Sequence, residues 1–402
     1  MNVLLVGAGA REHALAWRLA SSPSLSELHA APGNPGISEL GMCHPVRADD
    51  GDGLLGLAVT LEIDLAVIGP EAPLVAGVAD ELRRNGIAVF GPSAAAARIE
   101  GSKTFAKELL RAAGVPTALT LSVARTPCVV KADGLAAGKG VFVCRTAAEL
   151  EPALRAVQAL GGGMLIEELL EGREVSLFAV SDGRRVVPVG AAQDFKRIGD
   201  GDTGPNTGGM GAYSPVPWVD HLDTLVDAVH RPVIEELARR GTPFVGCLFA
   251  GLMITADGPK VLEFNARFGD PETQVLMPRL DGDLLELLAA AAHGDLSTSK
   301  VATNGSAAVT VVLAGPDYPQ RSDYAGRPIK GLEDASATGA LVLHAGTAVR
   351  DGRLVTNGGR ILSVTGTGET VQQARDAAYR AVDLVSFEGA RYRRDIAEGL
   401  DG

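Results

Sequence analysis

Only four of the 402 residues are cysteine (Cys43, Cys128, Cys144 and Cys247), and no two are spaced as CxxC. That excludes a disulfide framework, offers no zinc-type ligand set and fits a reducing cytoplasm. No stretch of about 18 uncharged apolar residues occurs, and no basic segment precedes an apolar run at the N-terminus, so neither a membrane span nor a signal peptide is expected. Basic residues are in deficit: 37 Lys and Arg stand against 49 Asp and Glu, a net charge of −12. Such a balance argues against a nucleic-acid partner, and it requires any bound phosphate to meet a local basic cluster.

What is present is the composition of a folded chain. Apolar residues make up 46%, the mean hydropathy is +0.15, and the length suits about two to four domains. The 50 glycines point to tight turns and to close approach of backbone to ligand.

The stretch Glu263-Phe264-Asn265-Ala266-Arg267-Phe268-Gly269-Asp270-Pro271-Glu272 concentrates the chemistry. A strand-like run from Cys247 to Thr255, a turn at Ala256-Asp257-Gly258-Pro259 and a return from Lys260 to Asn265 predict a hairpin. Residues two apart on a strand share a face, so Glu263 and Asn265 project together, and Arg267 continues the row if the strand runs on. A carboxylate and an amide oxygen about 7 Å apart suit a hard cation such as Mg²⁺ that also holds phosphate oxygens. Arg267 would then face the charge that develops as a phosphoryl group moves. A solvated edge strand explains the same row, but the Gly-Asp-Pro-Glu turn adds two carboxylates beside it and favours the site.

The first hundred residues alternate strands and helices as a doubly wound parallel sheet does. Val3 to Val6 is a buried strand, Gly7-Ala8-Gly9-Ala10 a turn and Arg11 to Leu19 a helix, which sets backbone N–H groups where an anion can sit. The dinucleotide fingerprint wants glycine where Glu12 stands and an acid after the second strand, near Leu28 to Ala31, so a nicotinamide cofactor is disfavoured. Arg11 and His13 suggest a phosphate monoester, although Arg11 could equally cap a surface helix. Asp64 to Ile68 is the next strand. It ends in Gly69-Pro70-Glu71-Ala72-Pro73, with Pro73 expected to start a helix that runs to Asn85. Glu71 thus lies at the C-terminal end of a parallel strand, where open α/β sheets bind ligands. Ala88 to Phe90 repeats the device.

Ser93 is expected to cap one helix carrying Lys103 and Lys107 as far as Gly114. Val129 to Lys131 and Val141 to Cys144 read as antiparallel strands joined by Ala132-Asp133-Gly134-Leu135-Ala136-Ala137-Gly138-Lys139-Gly140. This is not a Walker A loop, because no Ser or Thr follows the lysine and a strand follows the loop. It reads as a glycine hairpin folded over phosphates, or else as a plain mobile hairpin. Met164 to Leu170, with Glu167 and Glu168, is a strand whose end could pair with an adenine edge, and Glu174 could accept from ribose hydroxyls. Val175 to Val180 and Arg185 to Val189 form a hairpin about Asp182-Gly183. From Gln193 to Pro217 no secondary structure is expected, and loops of this length are usually functional. Asp194, Lys196 and Arg197 there offer both signs of charge to a zwitterionic or phosphorylated substrate. A helix from about Val219 to Arg240 follows.

Together these residues resemble the phosphoribosylamine–glycine ligase family, also called glycinamide ribonucleotide synthetases, ATP-grasp enzymes of purine synthesis. The resemblance rests on Gly9-Ala10-Arg11-Glu12-His13-Ala14-Leu15, Ala31-Pro32-Gly33-Asn34, Gly69-Pro70-Glu71-Ala72-Pro73-Leu74, the Lys131 to Gly140 loop, Asp202 to Gly211 and Asn265 to Gln274, and it runs from residue 2 to Ile396. Three positions depart from the family pattern as we read it. Ala10 replaces a second consecutive glycine, Phe195 replaces a histidine between the Asp and the Lys, and Gly315-Pro316-Asp317-Tyr318 replaces a Gly-Tyr after small residues.

The resemblance implies a multidomain α/β and α+β architecture: an N-terminal Rossmann-like substrate domain over 1–101, an ATP-grasp region over 102–305 with a mobile lid at about 118–180, and a small C-terminal α+β domain over 306–402. It implies ligation of glycine to 5-phosphoribosylamine by ATP through a glycyl phosphate, in the second step of purine synthesis, by a cytoplasmic monomer. Mg²⁺ or Mn²⁺ would sit on Glu263 and Asn265, Arg267 would stabilise the transferred group, and Lys103 and Lys131 would hold ATP phosphates. Gly134, Gly138, Lys139 and Gly140 would close over the nucleotide, with Glu167, Glu168 and Glu174 on adenine and ribose. Gly9, Arg11, Glu12, Glu71, Asp194, Lys196, Arg267, Gly269 and Asp270 remain for glycine and phosphoribosylamine.

The last hundred residues read as several strands and a helix from Thr370 to Phe387 that wall the site and carry few catalytic groups. Another ATP-grasp carboxylate–amine ligase is the rival within the class. A non-catalytic nucleotide module would be expected to lack some of Lys131, Glu263, Asn265 and Arg267, and all four are present.

Overall fold

The computed structural model describes residues 1–135 and 140–400. Its N-terminal unit runs β1 (Asn2–Gly7), α1 (Ala10–Leu19), β2 (Glu27–Pro32), β3 (Met42–Cys43), α2 (Gly51–Thr60), β4 (Leu65–Ile68), α3 (Glu71–Ala76), α4 (Val78–Arg84) and β5 (Ala88–Phe90). The strands form one sheet in the order β3-β2-β1-β4-β5, and every pairing is parallel. Val3 to Val6 are fully buried, as expected of a central strand covered on both faces. Helix α3 begins at Glu71 rather than at Pro73, and Gly77 (φ +90°) separates it from α4. The expected single helix breaks there because glycine enters the left-handed region without steric cost.

The expected helix from Ser93 to Gly114 is likewise two, α5 (Ala94–Gly101) and α6 (Lys103–Ala113). Ser102 breaks the run and caps the second helix, its hydroxyl accepting from the Phe105 N–H at 3.2 Å; side-chain oxygens satisfy such orphan donors. Strands β6 (Cys128–Ala132), β7 (Val141–Cys144) and β8 (Met164–Glu168) form an antiparallel sheet with β6 central, and α7 (Ala147–Ala159) packs on it through Ala153 and Val157.

Next come β9 (Arg173–Asp182), β10 (Val186–Asp194), β11 (Arg197–Gly199), β12 (Thr203–Asn206), β13 (Gly211–Ser214), α8 (Leu222–Arg239), β14 (Val245–Thr255) and β15 (Gly258–Asn265). The span from Gln193 to Pro217 is therefore not structureless. Strands β11 and β12 pair with each other, and β13 pairs with β10 on one side and, on the other, with a strand about a hundred residues further on. A four-residue strand of this kind is held by its partners rather than by propensity.

The remainder runs α9 (Thr273–Leu276), β16 (Leu280–Asp281), α10 (Leu284–Ala292), β17 (Ala302–Thr303), β18 (Ala307–Ala314), β19 (Tyr324–Pro328), α11 (Leu332–Ala337), β20 (Leu341–His344), β21 (Thr347–Arg350), β22 (Arg353–Gly358), β23 (Arg360–Gly368) and α12 (Val371–Val382). Helix α11 was not expected. One eight-stranded sheet, β15-β14-β9-β10-β13-β18-β23-β20, carries the chain from the Glu263 hairpin into this last segment. No helix among the described residues is long and apolar enough to cross a membrane.

Candidate active site

A fissure of about 1070 Å³ lies between this sheet, the β6–β8 sheet, α6, the first turn of α1 and the chain after β4. Register builds its floor. Glu263 on β15 faces Gly251 on β14, Gly251 faces Ser176 on β9, and Ser176 faces Ala192 on β10. Glu174 and Asp194, each two residues from a member of that row, share its face. The small residues between Glu263 and Asp194 leave room for a ligand.

Glu263, Asn265 and Arg267 all line the fissure. The strand ends at Asn265, so Arg267 does not extend the ladder. Its Nη2 instead donates to Asn265 Oδ1 at 3.1 Å and to Glu100 Oε1 at 3.0 Å, and its Nε donates to Glu71 Oε2 at 3.2 Å. Glu100 Oε2 accepts the Ala266 N–H at 2.7 Å. Burial pushes the Glu100 carboxyl above its usual range, and Arg267 pulls the other way. The Glu263 carboxylate makes no hydrogen bond or ion pair with any described residue. Against the upward push of burial, Lys196, Lys131, Lys103 and Arg267 hold its carboxyl below the ordinary value, so it stays ionised. An ionised, unpartnered carboxylate beside an amide oxygen fits a hard cation. Among the described residues no cluster of three His, Cys, Asp or Glu side chains forms a metal cage, so such a cation would complete its shell with phosphate oxygens and water.

Three lysines face the same space. Glu167, 2% exposed, has its carboxylate taken up by Lys107 Nζ at 2.8 Å and Lys131 Nζ at 2.7 Å. Lys131 Nζ also donates to Leu262 O at 2.9 Å, and Lys103 Nζ to Gly134 O at 3.1 Å. Glu168 Oε1 accepts the Leu119 N–H at 2.9 Å. Beyond the end of β8, Leu169 and Leu170 line the fissure without ladder partners. Gly134 and Gly140 lie at its edge; Gly138 and Lys139 fall outside the described residues.

At the other end Lys196 is ion-paired with Glu174 and stands 3.9 Å from Asp194. Burial pushes the Asp194 carboxyl up to about 8, with Lys196 pulling it down and Glu272, Glu174 and Glu263 adding to the push. Arg11, Glu71 and Asp270 line the fissure, and Arg11 Nη1 lies 4.0 Å from Glu71. Gly9, Glu12 and Gly269 are not part of its lining. Glu12, 2% exposed, accepts the Gly9 N–H at 2.6 Å and Arg11 Nε at 2.5 Å, and so braces the turn from beneath.

Sequence reasoning missed Glu100, Tyr318 and Arg360, and noted Glu272 only as a turn carboxylate beside the row, without a role of its own. Arg360, the first residue of β23, donates to Gly208 O at 2.6 Å and Asp270 O at 3.0 Å and pairs with Asp270 Oδ2 at 2.8 Å. Tyr318 Oη accepts the Gly208 N–H at 2.9 Å. The C-terminal segment thus supplies side chains to the fissure as well as a wall, and no local pattern around Arg360 or Tyr318 announced it. Phe195 packs under the Arg393 guanidinium, 5.0 Å from the ring centroid, and beside Tyr213.

Comparison with known proteins gives a consistent result. Family models described as phosphoribosylglycinamide synthetase N domain, ATP-grasp (A) domain and C domain match residues 1–100, 101–273 and 308–399. The chain is 52% identical to a phosphoribosylamine–glycine ligase of Streptomyces coelicolor over all of both chains. It is 48% identical to one of Mesorhizobium japonicum, covering 98% of this chain and 97% of the relative. The crystal structure of phosphoribosylamine–glycine ligase from Thermotoga maritima superposes with a TM-score of 0.86 at 34% identity, over 99% of this chain and all of that one. A biotin carboxylase domain of Hydrogenobacter thermophilus 2-oxoglutarate carboxylase, solved with MgADP and bicarbonate, shares the fold at 17% identity and a TM-score of 0.69, over 97% of this chain and 91% of that one.

Proposed function

The chain belongs to the phosphoribosylglycinamide synthetase family and ligates glycine to 5-phosphoribosylamine with ATP, giving glycinamide ribonucleotide, ADP and phosphate in the second step of purine synthesis; we propose how its residues share that work. A carboxylate resists attack by an amine because its leaving group would be oxide. Transfer of the γ-phosphoryl group to a glycine carboxylate oxygen breaks the bond to ADP and forms glycyl phosphate. The amine of phosphoribosylamine then attacks the carbonyl carbon, phosphate leaves, and the nitrogen gives up a proton. The first step asks for positioning and charge neutralisation more than for covalent help.

Lys103 and Lys131 neutralise ATP phosphates, and Lys131 is oriented by Glu167. To Gly134, Gly138, Lys139 and Gly140 we assign the role of covering the phosphates and keeping water from the acyl phosphate. The backbone following Glu168 holds adenine, and Glu174 the ribose. Arg267, fixed by Glu71 and Glu100, meets the charge on the transferred group. Glu263 and Asn265 would hold Mg²⁺ or Mn²⁺, which when bound neutralises the phosphate oxygens. Arg11, Glu71 and Asp270 take phosphoribosylamine, with Gly9, Glu12 and Gly269 shaping its seat, and Asp194 and Lys196 stand by glycine. We assign residues 1–101 to the substrate domain, 102–305 to the grasp with its lid near 118–180, and 306–402 to the closing domain of a cytoplasmic monomer.

The observation that carries this reading is the ionised, unpartnered Glu263 in one fissure with Lys131 and Arg267. The test is ADP formation with ATP and Mg²⁺, adding glycine and freshly generated phosphoribosylamine singly and together. The expected result is ADP only, or far faster, with both. ADP indifferent to phosphoribosylamine would retain the phosphoryl chemistry and replace the amine.

A further inference from the structure

Resting on that ligase reading, we propose that Asp194 and Glu272 together seat the ammonium group of glycine, and that this pair makes the enzyme select an amino acid over a simple carboxylic acid. Glu272 is 3% exposed and lines the fissure. Its carboxylate has one hydrogen bond to a described residue, from Ser176 Oγ at 3.3 Å, and no basic side chain within ion-pairing distance. The Asp194 side chain is 8% exposed and makes no hydrogen bond to a described residue; its nearest cation, Lys196 at 3.9 Å, is already bound to Glu174. Two buried acids therefore face one cavity with their cation committed elsewhere.

Such a pair calls for a compact cation with several N–H donors, since a buried carboxylate without compensation is costly. Glycine as a zwitterion brings one. Its carboxylate has to approach Arg267 and the γ-phosphate to be activated, and its ammonium lies only two bonds away. The floor on which it would rest, Ser176, Gly251 and Ala192, carries little side chain, and a Cβ on Gly251 would stand 3.4 Å from Glu263 Cγ. Burial raises the Glu272 carboxyl, against a pull from Lys196 and Arg267, as it raises that of Asp194 against Lys196, which is the response of acids whose nearby cations do not offset their desolvation. A ligand lacking the ammonium leaves both acids uncompensated, and sites built for a donor reject analogues without it strongly.

The experiment compares wild type with Asp194→Asn and Glu272→Gln, varying glycine, ATP and phosphoribosylamine in turn. The glycine KM should rise about 10- to 100-fold in each, the scale of one charged hydrogen bond. The KM values for ATP and phosphoribosylamine should stay within about twofold, which also shows that the variants are folded. Glycolate, as an inhibitor competing with glycine, should bind wild type poorly and gain on glycine in both variants. An unchanged glycine KM, a fall in kcat alone, or recovery at raised Mg²⁺ would overturn the seat, the last by identifying a metal position. Should wild type form no ADP with both substrates present, the ligase reading itself fails; should wild type be active and the variants unaltered, only the seat does.

Discussion

Glu263 shows how much a single side chain can be asked to do. It is ionised by four surrounding cations and is in contact with none of them. A buried charge in that condition lowers stability unless a ligand completes it, and its residue type and position match that need. Replacing it by the isosteric neutral amide removes one preorganised charge and exchanges one acceptor oxygen for a donor, with the shape kept. Glu263→Gln should therefore lower turnover by at least about two orders of magnitude, the scale for one such contact, as read from initial rates of ADP formation at saturating substrates. Near-normal rates at ordinary Mg²⁺ would take Glu263 out of the metal role. Glu263 and Asn265 were legible because the two-residue period of a strand is a local code; Arg267 lies past the strand's end and is brought to the same fissure by its bonds to Asn265, Glu100 and Glu71. Glu100 and Arg360 were not legible. They touch Arg267 and Asp270 across 167 and 90 residues of chain, and nothing in their own neighbourhoods records the meeting.

Among the elements, α6 is the one that brings two lysines, Lys103 and Lys107, to the fissure. Its start is held by two acceptors. Ser102 caps it from within the chain, and Asp133, just beyond β6, accepts from Lys103 N at 2.6 Å and from Thr104 Oγ1 at 2.6 Å. Against the push of burial, the hydrogen bonds from Thr104 and Lys103 hold the Asp133 carboxyl below its usual range. The chain just after β6 is thereby latched to the start of α6. Asp133→Ala should destabilise the protein by about 1 kcal/mol, the usual cost of a lost cap. It should also raise the KM for ATP several-fold while leaving that for phosphoribosylamine unchanged. Urea unfolding and steady-state kinetics measure the two, and equal rises in both KM values would mean general loosening instead of a released latch. The same scale shows where sequence reading fails. The alternating strands and helices of the first hundred residues were plain from buried apolar runs. The strand Gly211–Ser214 was hidden because its stability comes from Ala308 to Val311 opposite it.

At the scale of the whole molecule, the question is what keeps α1 against the C-terminal segment. Part of the answer is a neutral imidazole: His13 Nδ1 accepts the His344 N–H at 2.8 Å, while Asn34 Nδ2 donates to His344 O at 2.9 Å. Burial, with a smaller push from His344, lowers the His13 pKa to about 3, and burial lowers that of His344 to about 4. Between these values and the unfolded value near 6.5, the unfolded chain binds more protons than the native one. The contribution of each histidine to stability is therefore complete above about pH 6.5 and is lost as pH falls, by up to about 1.4 kcal/mol per unit. Asp194 acts in the opposite sense, since a carboxyl raised to about 8 binds its proton more tightly in the native state and loses stability as pH rises. The net pH slope of the wild type thus mixes signs, and a difference between proteins isolates the joint. His13→Gln should be less stable than wild type at pH 7.5 and should lose less unfolding free energy between pH 6.5 and 5.5, because the acceptor that acid converts to a donor is gone. Parallel losses in urea titrations at the two pH values would place the acid sensitivity elsewhere and leave α1 held by its apolar contacts with the last sheet strand.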